Sequence, residues 1–150
     1  MIGLVAFVLA AFAASAALPV HADIVRKESS YTVAETIDRL EANIKERKLT
    51  VFARIDHSAG AKEANLELRP TLLIMFGSAA VGTPLMQAQQ TMGLSLPLKA
   101  LAWQDAAGKV WLGYDAPADL AKDRGVPADH PAIGRITAAL AAMTDAAVKR

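Results

Sequence analysis

The chain has 150 residues, no cysteine, and 16 basic against 15 acidic side chains. This length suits a single domain. The near balance of charge excludes the strong positive field that nucleic acids require, so we expect no nucleic-acid partner. The lack of cysteine excludes disulfides, thiolate metal sites and a cysteine nucleophile.

The N-terminal segment is an apolar run. Residues 2–18 are Ala, Leu, Val, Ile and Phe with one Gly and one Ser, and Pro19 ends the run before Val20-His21-Ala22. An apolar core followed by small residues is typical of a secretory signal. We therefore predict a signal peptide over residues 1–22 and one domain over 23–150, periplasmic or secreted, with no stable membrane insertion after cleavage. A transmembrane anchor is the alternative, because the run approaches the length of a span.

The first half of the domain carries strand and helix signals in alternation. Residues 24–31 predict an edge strand. Thr32 and Glu35 have the spacing of a capping box, and apolar residues at spacings of three and four predict a helix that ends near Lys48. Residues 49–56 alternate between apolar and polar, which predicts a second strand.

Residues 58–69 predict a loop with one helical turn that directs Ala64 and Leu68 inward. The continuous apolar run 71–76 predicts a central strand buried on both faces. Thr83 and Pro84 predict the cap and first turn of a helix. Residues 98–103 and 109–114 predict a hairpin, followed by a short helix over 117–123 and a closing amphipathic helix from about residue 131 to residue 147.

This order of elements predicts an α+β fold. A strand and a helix are followed by four strands with a helix inserted among them, and a long helix closes the chain. Because strands and helices do not alternate regularly, we expect an antiparallel sheet with helices on one face rather than a doubly wound parallel sheet.

Several blocks between about residues 31 and 125 carry a family resemblance. They are residues 51–57 (VFARIDH), 66–70 (LELRP), 76–77 (FG) with 82–86 (GTPLM), 96–99 (LPLK), 108–111 (GKVW) and Tyr114. In these blocks the chain resembles the family called domain of unknown function 302. The resemblance implies a β-α-β4-α core and a homodimer, and it implies no reaction.

Two polar positions lie at predicted strand ends. His57 could act as a base or metal ligand, or it could simply cap a turn, and Asp56 could pair with Arg54. With only His57 and His130 in the mature chain, far apart in sequence, we expect no metal site and no cofactor. Arg69 could bind a carboxylate or phosphate, or pair with Glu67.

Gly77, Ser78 and Thr83 join a predicted strand to a predicted helix, where exposed amides could hold an anion; the alternative is a purely structural turn. Lys99 could be a nucleophile or base, or an edge-strand charge. Trp103, Trp111 and Tyr114 could line a pocket or pack across strands.

These residues predict a non-catalytic module that binds a small anionic ligand or another protein, and the family resemblance implies that the module is dimeric. The ligand would lie between sheet and helix near His57, Arg69, Gly77 and Thr83. The alternatives are an enzyme that uses His57 or Lys99 as a base, and a metal-binding envelope protein.

Overall fold

The computed structural model describes residues 24–150, so the predicted signal peptide lies outside the described residues. Five strands form one sheet in the order β1-β5-β4-β3-β2, and every neighbouring pair is antiparallel. The strands are β1 (Ile24–Ser29), β2 (Thr50–Asp56), β3 (Thr71–Gly77), β4 (Leu98–Gln104) and β5 (Val110–Asp115). The predicted antiparallel sheet, its first edge strand and its β4-β5 hairpin are confirmed.

Five helices accompany the sheet, and the two longest pack together against one of its faces. They are α1 (Val33–Glu46), α2 (His57–Glu63), α3 (Ala79–Ala88), α4 (Pro117–Asp123) and α5 (Pro131–Val148), with a 3₁₀ turn over Gln90–Leu94. This arrangement confirms the predicted α+β class with helices on one face.

The start of α1 shows why the sequence places a helix there. The Glu35 amide donates to the Thr32 hydroxyl at 3.2 Å, and the Thr32 amide donates to the Glu35 carboxylate at 3.0 Å. Both bonds satisfy amides that the first helical turn leaves without partners. The predicted capping box is therefore present.

The core lies between the two long helices and the sheet. Ile74 and Phe76 of β3 are fully buried, as are Ile37, Leu40 and Ile44 of α1. From α5 the core receives Ile136, Leu140 and Met143. These positions recur at intervals of three and four along each helix, so one apolar stripe per helix meets the sheet.

The prediction that β3 is buried on both faces is wrong. Ile74 and Phe76 face the helices, whereas Leu73 and Met75 point to the other face and are only half-buried. Successive strand residues alternate between faces, and the long helices cover one face only. We call the face without helices the open face.

The prediction that Thr83 caps a helix at Pro84 is also wrong. The amides of Val81 and Gly82 donate to the carbonyl of Ser78 at 3.1 and 3.0 Å, so the first turn of α3 closes before Thr83. Thr83 is consequently an exposed side chain within the helix, and Pro84 lies inside it.

Residues 57–63 form a helix where a loop was predicted. The carboxylate of Asp56 accepts hydrogen bonds from the Ser58 hydroxyl and from the Ala59 amide, and these bonds hold the pKa of Asp56 below its ordinary value. This cap starts α2 at His57, earlier than the predicted turn. Ala64 and Leu68, predicted to point inward, are exposed.

Arg54 does not pair with Asp56. Its guanidinium contacts the carboxylates of Asp38 and Glu41 in α1 at 2.8 and 2.9 Å, because residue 54 lies on the helix-covered face of β2.

No helix within residues 24–150 has the length and apolar character needed to cross a membrane.

Candidate functional site

The six predicted site residues do not form one site. Antiparallel pairing sets Asp56 opposite Leu72, which brings His57 to the end of the sheet where Arg69 lies. Gly77 ends β3 at the opposite end, roughly 20 Å away for a strand of this length. The predicted grouping of His57, Arg69, Gly77 and Thr83 around one ligand is therefore wrong.

The two candidate bases lack catalytic partners in the described part of the chain. His57 is exposed at the first position of α2, and its ring makes no hydrogen bond there. Lys99 lies on β4, an inner strand, so the alternative of an edge-strand charge does not hold, and its ammonium donates to the carbonyl of Pro97 at 3.2 Å. General acid or base catalysis requires a positioned partner and substrate, and neither side chain has such a partner.

Arg69 makes a different contact from the predicted one. Its Nε donates to the carbonyl of Gln104 at 3.0 Å, and it forms no ion pair with Glu67. This bond ties the segment before β3 to the end of β4. The rest of the guanidinium stays exposed at the margin of the open face.

The open face carries a continuous apolar surface. Across the strands it presents Ile24, Ile55, Leu73, Met75, Leu101 and Trp103, which share one side of the pairing register. Ile24 is 58% exposed and Ile55 is 40% exposed. A groove of about 540 Å³ crosses this face, and both Arg69 and Lys99 line it. Two of the six predicted residues thus meet at one surface.

A glycine shapes the floor of this open-face groove. A Cβ on Gly113 would lie 2.9 Å from the ring of Trp103, closer than packed carbon atoms approach, so glycine lets the ring lie against β5. Trp103 faces Trp111 across the hairpin, and the indole nitrogen of Trp111 donates to Asp105 at 2.8 Å. The predicted cross-strand packing of the tryptophans is confirmed, whereas Tyr114 is buried in the core.

Charged groups occupy fixed places around the groove. The register that pairs Leu101 with Gly113 puts Lys99 opposite Asp115, and both line the groove. Arg69 lies beyond the Trp103 end of β4, and Trp103 is four positions along the strand from Lys99, or roughly 13 Å. The groove therefore offers an apolar floor with one cation at each end and an anion beside one of them.

The groove on one side of the junction predicted as an anion site is apolar. Gly77 and Ser78 line a groove of about 270 Å³ with Phe52, Leu96 and Pro97, and the Ser78 side chain makes no capping bond. In residues 24–150, no three His, Asp or Glu side chains come together as metal ligands.

The apolar surface formed by the open-face residues Leu73, Met75 and Leu101 was not predicted from the sequence. The apolar run in β3 showed that both sides of the strand are hydrophobic, but it does not show what covers each side. A usable signal was the number of long helices, because two helices of 14 and 18 residues can cover only one face of a five-stranded sheet.

Comparisons with known proteins place this geometry in a family. The family model described as "Domain of unknown function DUF302" matches residues 25–148. A crystal structure of an uncharacterized conserved DUF302 protein from Bacillus stearothermophilus superposes with a TM-score of 0.75 at 22% identity, covering 83% of this chain and 97% of that chain. This likeness confirms the fold.

Two curated relatives come from Brucella. The chain is 52% identical over 103 residues to proteins named "Fluoride-specific ion channel FluC 1" in Brucella suis and in Brucella abortus. The match covers 69% of this chain but only 41% and 38% of those proteins. The chain thus spans about two fifths of the relatives that it matches. By the extent of the family-model match and by its fold, the chain belongs to the DUF302 family.

Proposed function

We propose that the protein is an exported, non-catalytic interaction module that forms a homodimer through the open face of its sheet. The observation that carries the proposal is an apolar sheet face without a covering layer. Stable domains bury both faces of an apolar sheet, against helices, another sheet or a partner. Large exposed apolar patches on soluble proteins commonly mark interaction surfaces.

The open face needs the apolar residues beside it to reach the area of a stable interface. Five strands of six or seven residues give a face of roughly 20 by 20 Å, or about 400 Å² in projection. Two such faces give about 800 Å², and a stable interface buries at least about 1,000 Å². The neighbouring Leu66 and Leu68, 67% and 49% exposed, extend the apolar patch towards that area.

The charges on the face support pairing with a second copy. A two-fold interface brings the same patch of both protomers together, so a patch that carries both signs can complement itself. Lys99 and Asp115 lie side by side on the open face, without an ion pair between them in the described residues. In a two-fold arrangement Lys99 of one protomer would meet Asp115 of the other.

Sedimentation of the mature protein tests the dimer. Leu101→Asp puts a charge at the centre of the open face and should convert the dimer to a monomer. Thr137→Asp adds the same charge on the exposed side of α5 and should leave the dimer intact. A wild-type monomer at high protein concentration, or a dimer that persists in Leu101→Asp, would contradict the proposal.

A charge exchange sharpens the test. Lys99→Asp or Asp115→Lys alone places like charges together and should weaken the dimer, whereas the double variant should restore it.

Export is tested separately by N-terminal sequencing of the periplasmic fraction, where we expect Asp23 as the first residue. A chain that keeps Met1 in the membrane fraction would contradict the signal peptide.

A second candidate function is that of an accessory module for a fluoride channel. The observation that favours it is the 52% identity to part of Brucella proteins named as fluoride-specific channels. A module found within such a protein could also act as a separate chain that docks on a channel. Retention of the mature protein by an immobilised FluC channel, lost in Leu101→Asp but kept in Thr137→Asp, would support this function; no retention of the wild type would contradict it.

A further inference from the structure

A second cavity lies on the helix-covered side of the molecule, away from the open face. It has a volume of about 450 Å³ and lies among the end of α1, the first turn of α3 and the stretch of α5 from Ala132 to Met143. Its walls are apolar, formed mainly by Val81, Leu98, Ala132, Ile136, Ala139 and Met143. We call it the α5 cavity.

Two arginines, Arg47 and Arg135, are the charged residues that line the α5 cavity, and both are exposed. Helices α1 and α5 run antiparallel, because the Ser30 amide before α1 donates to the carbonyl of Val148 at the end of α5, whereas Arg47 after α1 lines the cavity with earlier residues of α5. Both cations therefore border the same cavity.

In the described residues no carboxylate neutralises Arg47 or Arg135, in contrast to some other cations. Lys27, Arg54 and Lys109 each contact a carboxylate at 3.1 Å or less. Within residues 24–150, neither Arg47 nor Arg135 contacts a carboxylate, and no acidic residue lines the cavity. An anion bound in the cavity would therefore interact favourably with both guanidinium groups.

The first turn of α3 adds to the positive potential. Ala80 and Val81, in the first turn of the ten-residue helix α3, line the cavity, and the Ser78 side chain leaves that turn without a capping bond. The first turns of helices carry a partial positive charge. The cavity thus combines an apolar interior with a positive mouth.

We propose that the α5 cavity binds a single-chain amphiphile with an anionic head group. The apolar walls would take the hydrocarbon chain, and Arg47 and Arg135 would bind the head group by charge-assisted hydrogen bonds. The volume lies within the usual range for small-ligand sites, about 300–1,000 Å³. This site is separate from the open face, so the proposal does not depend on the homodimer.

Calorimetry with decanoate below its micelle concentration tests the ligand class. We expect saturable binding, with affinity that rises about tenfold for each two carbons added from octanoate to decanoate. Decanol and decyltrimethylammonium should bind at least tenfold more weakly, because they lack the anionic head. Absence of saturable decanoate binding, or equal binding of decanol, would overturn the proposal.

Two matched pairs of variants test the location. Arg135→Gln and Arg47→Gln should each weaken decanoate binding about tenfold, whereas Lys122→Gln, a charge change on α4 outside the cavity, should leave it unchanged. Ala139→Trp should fill the cavity and abolish binding, whereas Ala138→Trp, on the exposed neighbouring position, should not. Circular dichroism checks the fold of each variant. If the arginine variants keep the wild-type affinity, the proposed site is wrong.

A second ligand distinguishes whether the bound hydrocarbon chain belongs to a lipid or to a free fatty acid. A lysophosphatidylglycerol with the same acyl chain offers a phosphate instead of a carboxylate. Tighter binding of the lysolipid than of decanoate would assign the site to lipids, and the reverse order would assign it to free fatty acids. With either order, binding of both ligands should still weaken in Arg47→Gln and Arg135→Gln. If neither ligand is affected by these substitutions, the proposed site is wrong.

Discussion

The two faces of the sheet have similar strand residues and opposite surroundings. On the covered face, Ile74 and Phe76 of β3 are fully buried under α1 and α5. On the open face, their neighbours Leu73 and Met75 are only half-buried. Hydrophobicity along a strand therefore indicates which surfaces need cover, whereas the rest of the chain decides which surface receives it.

The largest expected effect is a difference in stability loss between variants at two adjacent residues, one on each face. Ile74→Ala removes a fully buried side chain and should lower the free energy of unfolding by about 3 kcal/mol. Leu73→Ala should cost no more than about 1 kcal/mol in the monomer, because less of its surface leaves water on folding. Urea unfolding at low protein concentration measures both. Equal losses would mean that the open face is covered under those conditions.

Thr32→Ala should produce an intermediate effect on the covered side. The substitution removes the side-chain half of the α1 capping box and should cost about 1 kcal/mol of stability. Ala34→Ser, a change at an exposed position two residues further along, serves as a control and should change stability less. An unchanged unfolding midpoint in Thr32→Ala would contradict the importance of this cap for the helix layer.

The smallest effect concerns acid sensitivity at the hairpin beside the open face. The hydrogen bond from Trp111, with those from the Lys109 and Ala107 amides, holds the pKa of Asp105 below its ordinary value. A carboxylate with a lowered folded-state pKa contributes stability above its unfolded pKa, and that stability is lost as pH falls through the folded pKa.

We therefore expect the melting temperature of Asp105→Asn to fall less steeply than that of the wild type between about pH 5 and pH 2. At neutral pH the variant should melt a few degrees lower. Thermal unfolding by circular dichroism across this range gives the comparison. Parallel acid profiles would mean that the Asp105 carboxylate does not couple the hairpin to pH.

Local patterns predicted most elements of the fold. The Thr32 cap, the alternation in β2 and the hairpin around Gly108 each depend on neighbours a few residues away, so the sequence contains the needed information. The start of α3 was misplaced because Pro84 usually marks a first turn, whereas here the Ser78 carbonyl closes the turn earlier.

The sites were predicted less well, because they depend on distant residues. His57 and Gly77 both end strands, yet antiparallel pairing sends them to opposite ends of the sheet. Arg47 and Arg135 lie 88 positions apart, and only the antiparallel packing of α1 and α5 brings them to one cavity. Spacing within a motif cannot reveal such a pair.

The placement of the tryptophans gives the protein a built-in optical reporter. Both tryptophans of the chain, Trp103 and Trp111, lie on the open face, and the covered face has none. Fluorescence emission from an indole shifts to shorter wavelength when water leaves its surroundings. Emission from this protein should therefore respond to whatever covers the open face and stay unchanged when a ligand enters the α5 cavity. Emission spectra recorded with and without a binding partner can thus show, without any added dye, which of the two surfaces is occupied.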